Sequence, residues 1–264
     1  MKKVLLAAAL SAVSVSAMAE APAFFANGEY RVFTGYTHTS TRQDDLRQTG
    51  NGAQLGVRAD MPFDEHNGLR LEGVYTYTSV DSKDKTEGFN FSNNANANKF
   101  DVYAGYTYTH QVKDNTRFRG GIGLGYTHFK DSVHDKLVPG AIGFDTQRNT
   151  TYLKAHAEIT QNLGGGWSLT PWTELNVDLY TRTKVRTTQL GASEDMNEKT
   201  NGWGVGLGLN AAKQFGSGNT AVEFGPYYRY TQYKQSGVVV LDGVPSYIGK
   251  QRLHETGLRF GVRF

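Results

Sequence analysis

The 264 residues carry 28 Lys+Arg against 25 Asp+Glu, a formal charge of +3 with no basic block, which excludes a nucleic-acid footprint. There is no cysteine, so neither disulfides nor thiolate metal sites can stabilise the chain. Beyond the first twenty residues no apolar run reaches the ~18 residues of a membrane-spanning helix, while abundant Gly, Tyr and Phe with scarce Pro suit twisted, aromatic-rich strands.

The chain opens MKKVLLAAALSAVSVSAMAE. Lys2 and Lys3, an apolar stretch from Val4 to Val15, and Ala17-Met18-Ala19 form a signal-peptide pattern over 1–19, leaving 20–264 as one domain. Ten period-two segments follow, at 29–40, 50–61, 69–80, 99–110, 116–129, 150–161, 167–182, 200–212, 220–233 and 252–264. Most exceed the ~5–6 residues of an ordinary soluble strand and match the ~9–11 needed to cross a bilayer at a tilt. Short connections (62–67, 111–115, 162–166, 213–219) alternate with long polar ones (41–49, 81–98, 130–149, 183–199, 234–251). That alternation predicts an all-β fold, a closed antiparallel up-and-down transmembrane β-barrel with long loops on one rim.

The faces agree with it. Ala53, Leu55, Val57, Ala59 and Met61 alternate with Gln54, Gly56, Arg58 and Asp60, and Leu175, Val177 and Leu179 with Glu174, Asn176, Asp178 and Tyr180. Aromatic residues gather at both ends of the apolar faces. Tyr36, Tyr75, Tyr77, Tyr126 and Trp203 lie toward the long loops, and Tyr106, Tyr108, Trp167 and Phe260 toward the short turns. Two aromatic belts around an aliphatic band fit a barrel in lipid.

Together with the closing ETGLRFGVRF, these features resemble Gram-negative outer-membrane β-barrel proteins. The resemblance implies a cell outer-membrane location, outer-membrane lipid and lipopolysaccharide as surroundings, and Phe264, Val262 and Phe260 as the signal read by the barrel assembly machinery. Ten strands are similar to the omptin proteases and to certain ten-stranded adhesins.

The run GWGVGLGLN (202–210) contains a loose G-x-G-x-x-A nucleotide pattern, but its glycines alternate with apolar residues and no helix-length segment follows. By parity Gly202, Gly204, Gly206 and Gly208 face the lumen, as do Gly121, Gly123 and Gly125. A ten-stranded cylinder has a backbone radius of roughly 10 Å, so inward side chains nearly fill it. The inward set includes Arg58, Arg70, Glu72, Arg119, Lys154, Glu158, Glu174, Asp178, Arg229, Glu255 and Arg259. With Arg31, Arg117, Arg263, Glu29, Asp60, Asp101 and Glu223 this makes nine cations and nine anions, a balance that predicts ion pairs across the lumen. The bare glycine walls would leave room for Arg229, Trp172 and Tyr227.

Candidate chemistry is sparse. Asp178 and His128 lie toward the long-loop rim without the spacing of an acid–histidine pair, and His156 and Glu158 share the inward face. His38 and Ser40 share the outward face, similar to the His-x-Ser of the smaller outer-membrane lipid A deacylases. No catalytic, cofactor-binding or metal residue is expected. In the long loops, Asp242-Gly243 signals a hairpin and Pro139-Gly140 a type II turn, with Val238–Leu241 and Ile142–Phe144 as apolar surface for loop packing or for a surface ligand. The expectation is a monomeric surface-interaction or structural barrel with an occluded lumen. A narrow passive pore and a rim hydrolase, on peptide or lipid A, are the alternatives.

Overall fold

The structure, a computed structural model, describes residues 28–43, 46–84, 92–133, 143–189, 192–215, 220–241 and 244–264. The signal-peptide segment 1–19, Pro139-Gly140, Ile142 and the Asp242-Gly243 dipeptide lie outside them, and the side chain of Phe144 is likewise outside.

The described strands are β1 (Glu29–Gln43), β2 (Leu46–Pro62), β3 (Asn67–Asp84), β4 (Ser92–Lys113), β5 (Thr116–Val133), β6 (Gly143–Gly164), β7 (Trp167–Gln189), β8 (Ala192–Lys199), β9 (Gly202–Gln214), β10 (Ala221–Tyr233), β11 (Val239–Leu241), β12 (Val244–Ser246) and β13 (Gln251–Arg263). Ten of them, β1–β7, β9, β10 and β13, pair antiparallel around a closed ring, with β1 joining β13. Each matches one of the ten predicted segments, seven of them in full, while β9, β10 and β13 leave out one or two terminal residues of theirs. Leu55, Val57, Leu71, Leu124, Leu175 and Phe260 stand exposed on the outside of the wall, as lipid-facing positions must.

Two predictions change. The long connections are mostly strand: β1 runs on to Gln43 and β2 begins at Leu46, while β4, β6 and β7 reach 22, 22 and 23 residues. Above the membrane the outward face meets water instead of lipid. Thr, Ser, Asn and Asp occupy both faces, and the period-two contrast fades although the hydrogen-bond ladder continues. The second change concerns Tyr180, which is exposed rather than inward. Between Thr151↔Tyr180 and Tyr152↔Asp178 the β6–β7 ladder shifts by one residue, so the bulge at Leu179 turns Tyr180 outward.

The bulge marks a change of partner. The lower part of β7 (Trp167–Val177) pairs with β9, whereas its upper part (Arg182–Gln189) pairs with β8. Asp178 closes this junction, accepting hydrogen bonds from Thr181 Oγ1 and from the Gly202 backbone N–H, both at 2.8 Å. The wall is therefore tall over β3–β8 and low over β9, β10 and β13, each 13 residues long. On the low side, β11 and β12 pair with Leu241 opposite Val244, the register of a two-residue hairpin. At the other rim, Gly164, Gly165 and Gly166 all take positive φ (86°, 57° and 78°), a turn that glycine alone adopts without strain.

Candidate functional site: an ion-pair plug in the lumen

Period-two parity aims one charged side chain after another into the cylinder, and they meet there. At the short-turn rim Glu29 pairs with Arg31, with Arg117 (3.3 Å) and with Arg119 (3.6 Å). Arg31 also reaches Glu223 (3.6 Å), which holds Arg263 (3.5 Å). Arg119 continues upward to Asp60 (3.1 Å) and Glu158 (3.3 Å), and Arg70 bridges the same two acids at 2.5 and 2.8 Å. Arg58 links Glu158 (3.6 Å) to Glu72 (2.8 Å). Lys154 links Glu72 (3.5 Å) to Glu174 (3.0 Å). Arg229 then joins Glu174 (2.6 Å) to Glu255 (3.7 Å), which ends the chain at Lys99 (2.8 Å).

The result is one unbroken path of ion pairs from one rim toward the other, built from every barrel strand except β9. Arg70, Glu72, Lys154, Glu158, Glu174 and Glu255 are all buried. Sharing each carboxylate among two or three cations offsets the cost of taking these groups out of water.

The absence of β9 is explained by its glycines. A Cβ on Gly208 would stand 2.6 Å from the Trp172 ring, and one on Gly206 would stand 2.8 Å from the Glu174 side chain. Three strands away round the ring, on β5, a Cβ on Gly121 would lie 2.6 Å from His156, and one on Gly125 would overlap the Tyr152 ring. At these positions the glycines make room for side chains of the neighbouring strands β6 and β7, which lie flat across them. Gly123 differs: its limit is the backbone of Ala104 and Gly105. Gly202 and Gly204 face backbone of β10 in the same way.

Of the eleven inward positions singled out above, nine lie in the path. Asp178 does not: it points inward but fastens the β7–β9 junction. Arg259 does not either. Its guanidinium lies 4.5 Å from the Tyr227 ring, 4.9 Å from Phe33 and 5.9 Å from Trp172, an aromatic cage rather than an ion pair. Asp101 accepts from Thr127 (2.6 Å) and Tyr152 (2.7 Å) instead of pairing with a cation. Lys99 is the member that sequence reading missed; it lies two residues before Asp101 on the same face, so parity could have found it. His156 meets Tyr103 edge-on, and no hydrogen bond joins it to Glu158 among the described residues.

The described residues contain no group of His, Asp or Glu able to hold a metal ion. A model of outer membrane protein OpcA matches residues 24–264, nearly the whole chain. The chain belongs to the OpcA family of outer membrane proteins. No curated protein sequence matches it. Among solved structures, the outer membrane protease OmpT of Escherichia coli superposes with a TM-score of 0.63 at 9% identity, over 93% of this chain and 99% of that one. The translocator domain of the autotransporter NalP from Neisseria meningitidis gives 0.48 at 14% identity, over 100% and 95%. At such identities the likeness is one of fold.

Outer-membrane location orients this OpcA-family barrel, with its short turns at the periplasm and its tall wall outside. At the outer rim, outward-facing tyrosines are fastened to asparagines across the β1–β2, β3–β4 and β5–β6 pairs. Asn51 Oδ1 accepts from Tyr36 (2.5 Å) and faces His38 Nδ1 at 2.9 Å. Asn149 Oδ1 holds Tyr126 (3.0 Å) and faces His128 Nδ1 (2.7 Å) in the same way. His38 is thus turned to Asn51, with no hydrogen bond to Ser40 and no carboxylate partner among the described residues. His128 faces outward and Asp178 inward, so those two do not meet.

Proposed function

We propose that this OpcA-family barrel is a non-enzymatic surface-interaction protein whose lumen is occluded and whose tall extracellular wall presents a ligand-binding rim. The observation that carries this reading is the path of ion pairs across the lumen. A water-filled selective pore uses a ring of one sign around an open constriction, whereas here cations and carboxylates interlock through the whole interior. The side chains that a hydrolase would need support no such role, since His38 and His128 are each held by an asparagine and His156 is packed on Tyr103.

Planar-bilayer recording of the purified protein tests the occlusion. The expected result is a quiet baseline at neutral pH. Steady discrete conductance steps would overturn it in favour of a narrow pore. On the rim, the β11–β12 hairpin with its exposed Val238 and Tyr247 stands where a surface ligand would meet the low side of the wall.

A further inference from the structure

The outward face above the tyrosine–asparagine belt carries a charge pattern that the fold itself does not need. Arg42 of β1 stands directly opposite Arg47 of β2 and directly opposite Arg252 of β13. The ladder continues to Lys83 of β3 at the register position facing Arg47. All three arginines are exposed, and none makes an ion pair among the described residues. Asp81, on the same face one row below, forms none with them; Asp44 and Asp45, between Arg42 and Arg47 in the sequence, lie outside the described residues.

Like charges directly opposite each other destabilise a strand pair. In the lumen the same protein surrounds every cation of the path with carboxylates; on this face, among the described residues, it lines cations up without pairing them. Such a row calls for an external polyanion.

Height decides which one. Directly beneath the arginines are Thr49, Ser40 and His254, and below these Asn51 and His38. Tyr36, exposed to lipid, follows in the aromatic belt. Moving outward, the wall thus changes from aromatic rings to neutral hydrogen-bonding groups and then to guanidinium groups. Arg42 is four residues above His38, about 10 Å farther out for a rise of ~3.4 Å per residue and a tilt of ~40°. That order matches the acyl, linkage and phosphate layers of an outer leaflet. The row stands on the outward face of the wall rather than in the lumen, one pair below the upper end of the β1–β2 ladder.

We propose that Arg42, Arg47 and Arg252 form a binding site for the phosphates of an outer-leaflet lipid headgroup, with Ser40 and His254 supplying hydrogen bonds from below. Guanidinium suits this ligand because it binds phosphate oxygens in bidentate fashion and stays charged. The site lies outside the barrel wall, so it is independent of whether the lumen conducts.

The test is native mass spectrometry of the full-length barrel in detergent, titrated with bisphosphorylated lipid A or with the same lipid after removal of its phosphates. An Arg42→Ser/Arg47→Ser/Arg252→Ser variant is compared with the parent, and Arg252→Ser alone serves if the triple variant fails to show the heat-modifiable mobility of a folded barrel. The expected result is about ten-fold weaker retention of the phosphorylated lipid in the triple variant, and a smaller loss in the single one, on the scale of lost charge-assisted contacts. Retention of the phosphate-free lipid should be low and unchanged. Equal retention by parent and variant would overturn the proposal, as would equal retention of the two lipids by the parent. A variant that loses only inorganic phosphate or a soluble sulfated polysaccharide, and keeps the lipid, would overturn it too.

Discussion

At the scale of single residues, the lumen is organised by what glycine omits as much as by what arginine supplies. Trp172 occupies the space over Gly208 and Glu174 the space over Gly206, so the glycine row of β9 and the ion-pair path are two sides of one packing solution. Gly208→Leu is therefore expected to force Trp172 off its wall and away from the Arg259 guanidinium. The cost is about 1–3 kcal/mol, as for overpacking of other dense interiors, read as a lower urea midpoint for the heat-modifiable form. The same substitution on the outward face, Gly73→Leu, where a Cβ would meet only Val57 at 3.7 Å, should leave that midpoint in place. The glycine alternation was legible in the sequence as a bare inward face. What would lie across it was legible only in part, because the side chains come from strands that are neighbours in the ring. Arg259 shows the limit: parity aims it inward, but only the positions of Phe33, Trp172 and Tyr227 around it make it a caged cation.

At the scale of elements, the membrane-crossing parts of the strands were readable because lipid outside and charge inside impose opposite demands on alternate residues. Their extensions were not, since above the outer leaflet the outward face meets water, polar residues stand on both faces, and hydropathy no longer alternates. The bulge at Leu179 is a different kind of failure. A single extra residue reverses parity from that point on, and nothing in LNVDLYTRT announces it. Asp178 sits at that reversal and ties β7 to the start of β9 through Thr181 and Gly202. Asp178→Ala should leave the Gly202 N–H without its acceptor and loosen the junction by about 1–3 kcal/mol. Hydrogen exchange would show it as faster exchange at Gly202 and along β8, with the β1–β2 ladder unaffected. Asp178→Asn, which keeps an acceptor oxygen, should retain most of the protection.

At the scale of the whole molecule, the path of ion pairs joins nine of the ten barrel strands and fills a cylinder that has no hydrophobic core of the usual kind. Its apolar residues face lipid and its charges face one another. Glu72 and Glu158 together hold Arg58, Arg70, Arg119 and Lys154. Replacing both with alanine should leave Arg58 without a carboxylate and Arg70, Arg119 and Lys154 with only their remaining partners, admit water, and produce anion-preferring conductance steps in planar bilayers where the parent is quiet. An unchanged, silent barrel would mean that other groups occlude the lumen. The sequence by itself determined a closed barrel of about ten strands and the inward or outward side of nearly every membrane-crossing residue, because a bilayer enforces a local, period-two rule that can be read along the chain. Only the tertiary structure decided which charges become partners, where the wall rises above the membrane, and which arginines line up on its outer face. Those outcomes depend on the register between strands, and register is a relation between segments that no single segment encodes.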